Sequence, residues 1–193
     1  MPITVSGNAL TVLDELTRKT SDFAPLFGKI GIGLVESIRI ELGKGRTPWG
    51  EPFAPLGAAG KLQRFRGKTY TKLGDRTTSA FTRHVLGNHV PLNDTRKHIY
   101  DRINFVATED GVIIGIMDSE NSKIGRVHQF GATIKPKKGK FLVFQPPGFA
   151  GPIFAREVII PARPYLPIRN RLVDLPAAWT DDISSVILKY LTS

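Results

Sequence analysis

The sequence predicts an α+β fold, in which an antiparallel β-sheet packs against two N-terminal helices and a C-terminal helix and carries a long basic loop insertion. Three observations predict it. Near both ends of the chain, apolar residues recur every three or four positions, the period of amphipathic helices. Between them lie short β-rich runs separated by Gly- and Asp-containing turns, the pattern of hairpins. The order, helices then strands then a helix, is that of a segregated α+β domain.

The elements follow in chain order. ITVSG (3–7) reads as a short strand, and NALTVLDELTRKT as a first helix with Asn8 as cap and Leu10, Leu13 and Leu16 on one stripe. A second helix opens at Asp22, with Pro25 tolerated in its first turn. Phe23, Phe27, Ile30, Leu34, Ile38 and Leu42 form its apolar face, and Gly43 is the expected stop. Gly28, Gly31 and Gly33 weaken that helix by roughly 1 kcal/mol each relative to alanine. At such spacing they also allow another segment to approach closely.

Residues 43–95 have no clean period: a Gly/Pro-rich stretch gives way to the basic, aromatic-interleaved KLQRFRGKTYTKLGDR, with a short helix possible at Thr77–Leu86. A connection this long is usually functional or mobile. HIYDRINFVAT and VIIGIM then form a hairpin about Glu-Asp-Gly. NSKIGRVHQF forms a short helix capped by Asn121 or Ser122 and stopped by Gly131. ATIKP and FLVFQ are expected to pair across KKGK as a second hairpin, and IFAREVIIP to form one further strand. The last helix is expected to be capped by Thr180, with Asp181 and Asp182 at its positive end and Ile183, Val186, Ile187, Tyr190 and Leu191 on its apolar face.

At 193 residues the chain fits one domain, 1–193, with the insertion at about 57–90. A domain of this size buries roughly 70% of its unfolded surface. The absence of cysteine excludes disulfides, thiolate metal sites and cysteine catalysis, and fits a protein folded in a reducing cytosol. No apolar run reaches the roughly 20 residues that span a bilayer, and MPITVSGNAL lacks the pattern of a secretory signal. Net charge is +10 and uneven. Lys61 to Arg102 holds ten Lys and Arg against three Asp, whereas the first 43 residues carry a net −1. Such a block is either a solvated face or a contact for a polyanion or an acidic partner.

No constellation completes a catalytic set. His84, His89 and His98 lie near Asn88 and Asp94, but a helical ligand pair needs i, i+4 spacing, and His84 and His89 are five apart across Gly87 and Asn88. His128 has no sequence neighbour that forms a recognised general-base partner. There is no GxSxG, P-loop or HExxH, and GKIGIG (Gly28 to Gly33) lacks dinucleotide spacing. The residues read as a non-enzyme that needs no cofactor or metal.

Several steps form a set. Trp49 precedes Pro55 and Leu56, RVHQFGATI follows the first hairpin, and IIPARPYLPI precedes the C-terminal helix. This arrangement resembles the phage virion morphogenesis or tail completion family of Mu-like and related contractile-tailed phages. That family carries an HQFG step, a PARPFL-like step and a PL-x-x-TG-x-L step. His128, Gln129, Phe130 and Gly131 match the first. Pro161, Ala162, Arg163, Pro164, Tyr165 and Leu166 match the second, with Tyr165 for Phe. Pro91, Leu92 and Thr95 keep part of the third, with Arg96 where glycine is usual, and Gly57 to Val90 is longer than the family needs.

The resemblance implies a structural virion protein that completes or terminates the tail at its head-proximal end and takes part in head-tail joining. It implies assembly with itself as a ring, a hexamer by expectation. The expected partners are the tail tube or sheath and the head-neck connector proteins, with non-specific contact to packaged DNA and no membrane. Its place would be the tail or neck of the virion, and the host cytoplasm during assembly. Both motifs then read as architecture. His128 and Gln129 bond main-chain groups, Phe130 fills the core, and Gly131 ends the helix in a left-handed conformation. Pro161 and Pro164 fix an extended path anchored by Tyr165 and Leu166, while Arg163 pairs with a carboxylate of this subunit or the next. Lys61, Arg64, Phe65, Arg66, Lys68, Tyr70 and Lys72 are the candidate partner contact. Alternatively, residues 61–76 are a nucleic-acid-binding module in which Phe65 and Tyr70 stack on bases.

Overall fold

A computed structural model describes residues 22–55, 92, 99–144 and 151–192, together with Thr17. The expected first strand and first helix, the 57–90 insertion with its basic contact residues and its Thr77–Leu86 helix, and the His84, His89 and His98 cluster lie outside the described residues, Thr17 excepted.

The fold is α+β. Helix α1 (Ala24–Lys44) runs through its centre and buries Ile30, Leu34, Ile38 and Leu42 of the expected face; Leu26 and Val35 are buried beside them, while Phe23 and Phe27 are only half-buried and pack against the core from its edge. The Asp22 carboxylate accepts from the Ala24 amide at 2.9 Å, and Pro25 occupies the first turn. The helix continues past Gly43 and stops at Gly45, whose φ of 73° and ψ of 34° are left-handed. The Gly45 amide donates to Leu42 O and the Arg46 amide to Glu41 O, the paired bonds of a Schellman ending. Two glycines were available, and only the second completes those bonds.

Strands β1 (Ile103–Ala107) and β2 (Val112–Ile116) form the expected antiparallel hairpin, closed by the Thr108 amide on Gly111 O. A 3-10 turn, Tyr100–Arg102, precedes β1 where continuous strand was expected. The hairpin lies on α1 and is tied to it by Arg39, whose guanidinium donates to Ile103 O at 2.9 Å. Gly31 is small for this contact: a Cβ there would run into the Phe105 ring. Among the described residues, nothing lies within 4 Å of a Cβ placed at Gly28 or Gly33. Helix α2 (Ser119–Phe130) follows, capped by Asp118, whose carboxylate accepts from the Asn121 amide at 2.8 Å. The cap is therefore a carboxylate upstream of the two residues expected.

The next segment departs most from the local reading. β3 (Ala132–Ile134) pairs with β6 (Val158–Ile160), and β4 (Leu142–Phe144) pairs with β5 (Ile153–Ala155), both antiparallel. KKGK bends, with Gly139 at φ 86°, but does not join β3 to β4 as a hairpin. IFAREVIIP is likewise two strands broken at Arg156 and Glu157. The β4–β5 ladder is thus nested beyond β3–β6 in one arm. A short hairpin, β7 (Ile168–Arg169) and β8 (Leu172–Val173), turns at Asn170 and Arg171, both at positive φ. The described strands form four two-stranded ladders instead of the single sheet expected.

Helix α3 (Ala177–Thr192) packs on α1 through Trp179, which is buried, and through Ile183, Val186, Ile187 and Tyr190. Pro176 O receives the first helical bond, from the Thr180 amide, so the helix starts earlier than expected. Thr180 lies inside it, its hydroxyl donating to Pro176 O. Asp181 and Asp182 consequently stand beyond the first turn.

Candidate functional site

HQFG and PARPYL are separated by the whole arm, and they fold into one joint. HQFG ends α2 and leads into β3, while PARPYL leaves β6. Gln129, 3% exposed, holds them together with a single amide. Its Oε1 accepts from the Tyr165 amide at 3.0 Å and from the Leu166 amide at 2.9 Å, and its Nε2 donates to Leu166 O at 3.1 Å. The Arg163 amide adds a bond to His128 O at 2.6 Å. The side-chain amide thereby serves main-chain groups that no strand partner reaches. This agrees with the role expected of Gln129.

Gly131 permits the crossing. Its φ of 72° and ψ of 170° fall in a region essentially restricted to glycine. This corrects the left-handed ending expected there: φ is positive, but ψ is extended, so the chain leaves the helix directly as a strand. A Cβ at Gly131 would stand 3.0 Å from Ala162 N and from Ile160 O. Tyr165 is 4% exposed and lies over Gly125, where a Cβ would come within 2.5 Å of its hydroxyl oxygen. Burial penalises the phenolate and pushes the Tyr165 pKa from its ordinary 10.0 up to about 12.

Arg163 is also buried. Its Nε donates to Ala54 O at 2.8 Å and its Nη2 to Pro55 O at 3.0 Å. The partners found among the described residues are thus main-chain carbonyls, where a carboxylate was expected. A planar fork suits two adjacent carbonyls as well as it suits a carboxylate. The bonds bring in the segment that carries Trp49. There the Arg169 guanidinium stacks 3.9 Å from the indole centroid and pairs with Glu51 at 2.9 Å. All three steps, Trp49 to Pro55, HQFG and PARPYL, therefore converge on the base of the arm.

Phe130 is corrected outright. It is 52% exposed and does not fill the core. On α2 the buried positions are Gly125 and Gln129, and the next residue is turned about a quarter of the circle away. His128 is half-buried and contributes its carbonyl to the joint. Pro161 is exposed and Pro164 half-buried, in a stretch without regular structure, and Leu166 packs against the core.

The sequence reading missed the surface of the arm. Val143 and Phe154 are cross-strand partners, each 61% exposed, and Phe141 meets Phe154 edge-to-face at 6.4 Å. Ile159 is 68% exposed. The signal was present in FLVF, which has no polar residue to mark a solvent face. Among the described residues, no group of three or more His, Asp or Glu is placed to hold a metal. No described helix is long and apolar enough to cross a membrane. No family model, curated protein or solved structure matches the chain.

Proposed function

We propose that this chain is a structural protein of a phage virion, a tail completion or terminator protein that assembles as a ring at the head-proximal end of the tail and takes part in joining head to tail. The observation that carries this reading is the joint. The residues on which the family resemblance rests are spent on main-chain hydrogen bonds and close packing at the root of an exposed arm. Such a device fixes the direction of a projecting element, which an assembly protein needs and a catalyst does not. The test is joining in vitro, with tails made without this chain mixed with filled heads and scored by electron microscopy. Joined particles should appear when the chain is added and not otherwise. Equal joining in its absence would refute the proposal.

The concentration of charge in residues 61–102 favours a second reading, in which residues 61–76 bind nucleic acid. Neutralising Lys61, Arg64, Arg66, Lys68 and Lys72 separates the two. A DNA clamp would lose roughly 0.9 of salt slope for each lost phosphate contact. A protein contact would lose head-tail joining, with little change in DNA affinity. The mixture of Leu62, Phe65, Tyr70 and Leu73 with the cations favours the protein contact.

A further inference from the structure

The arm and the α1/α3 groove are complementary surfaces on one chain. No described residue from Ala132 to Ile160 belongs to the buried core or packs against it. A two-stranded ladder is marginal on its own in water and leaves both of its edges unpaired. The arm has two of them, and it exposes Phe141, Val143 and Phe154 at the β4–β5 ladder and Ile159 on the β3–β6 ladder, on the order of 400 Å² of apolar side chain in all. A standard protein interface buries about 800 Å² per partner, so the patch can supply the dry centre with its flanking residues as the rim. Those residues are basic: Lys135, Lys137, Lys138, Lys140 and Arg156 stand against a single acid, Glu157, which Lys135 approaches to 3.6 Å.

The groove has the opposite character. It is a cavity of about 420 Å³ between α1 and α3, with Ile40, Trp179 and Val186 among its apolar lining. Among the described residues its carboxylates are Glu36 and Asp182, and its one cation, Lys29, is drawn over the Tyr190 ring at 5.3 Å. An aromatic ribbon edged with lysines fits a groove with an apolar floor and acidic side chains. Steering and register follow from the charges, and affinity follows from the apolar centre.

We propose that the arm of one copy seats in the α1/α3 groove of the next. The two surfaces differ, so the contact is heterologous, and repeated around an axis it closes a ring. This inference rests on the ring assembly proposed above and specifies how the ring is built.

The chain contains no cysteine, so introduced thiols are unique. Two single-site variants, Val143→Cys and Ile40→Cys, are mixed in the presence of tails, oxidised mildly and resolved without reductant. An intermolecular Val143–Ile40 cross-link should form about tenfold faster than one between Val143→Cys and Leu188→Cys, a control that is exposed on α3 outside the groove. Phe154→Ser should weaken association by about tenfold or more while leaving the unfolding midpoint unchanged. Glu36→Lys with Asp182→Lys should do the same, and Lys138→Glu with Lys140→Glu should restore it. Equal cross-linking rates, or association indifferent to Phe154→Ser, would overturn the arm-in-groove contact and leave the ring reading standing. A chain that stays monomeric with tails present would overturn both the contact and the ring, whereas the chain's role in joining is decided separately by the head-tail assay.

Discussion

Replacing Gln129 with leucine removes one side-chain amide and tests the joint directly. The side chain is 3% exposed, and its three hydrogen bonds all go to the Tyr165–Leu166 main chain. Leucine has a similar volume, so the packing term is small. What remains is two N–H groups and one C=O without partners in a dry site. Each orphaned group costs about 1–3 kcal/mol. Taking the low end for each gives about 3 kcal/mol, and leucine's own apolar gain lowers the expected loss to about 2 kcal/mol. Urea unfolding should show it as a lower midpoint at unchanged slope. Amide exchange should show the Tyr165 and Leu166 protons losing protection. The Gln129→Glu variant sharpens the test. It keeps the acceptor and loses the donor to Leu166 O, so it should be destabilised at neutral pH. Part of the loss should return below about pH 5, where a protonated carboxyl donates again. A loss under about 1 kcal/mol with both amides still protected would refute the argument that this amide holds the two motifs together.

Three further outcomes are expected. Gly131→Ala should cost about 2–3 kcal/mol in chemical denaturation, because it strains a glycine-only conformation and sets a Cβ 3.0 Å from Ile160 O. Arg163→Lys should cost about 2 kcal/mol and release the 45–55 segment, seen as faster exchange of the Thr47 and Phe53 amides, because an ammonium cannot span the Ala54 and Pro55 carbonyls. For Tyr165 the folded pKa of about 12 lies above the ordinary 10.0, so the folded state holds its proton more tightly. Stability from the neutral phenol is therefore complete below pH 10 and is lost as pH rises through the folded value, by about 2–3 kcal/mol. The wild-type minus Tyr165→Phe difference in unfolding free energy should be flat below that window and fall across it. A difference that is flat throughout would place the phenol in water.

The elements that could be read from the sequence are those whose signal is local. The α1 stripe repeats six times, and Glu-Asp-Gly between two β-branched runs leaves little choice of hairpin. The misreadings arise where a local signal competes with a distant partner. Gly139 does bend the chain, yet β3 finds its register at Ile160, across the arm, so turn chemistry alone selected the wrong pairing. Helix α2 shows the same limit in another form. Its buried residues are a glycine and a glutamine, and hydropathy ranks both below the exposed Phe130. Burial there is decided by two events elsewhere in the chain. Tyr165 needs a surface without a Cβ, and two amides need an acceptor.

The arm shows why hydrophobic patterning constrains assembly as well as folding. FLVF and IFA read as strands buried on both faces, because neither run carries a polar residue to mark a solvent side. Among the described residues those faces meet no core. A sequence encodes the need for burial without stating whether the cover lies on the same copy. Rigidity at the root then matters more than strength in the arm itself. A ribbon free to swing loses orientational freedom when it docks, and that loss weakens every contact at its tip. The Gln129 and Arg163 bonds remove much of that freedom before any partner arrives. The base of the arm accordingly holds the densest hydrogen bonding among its described residues, while the far end is left apolar and exposed.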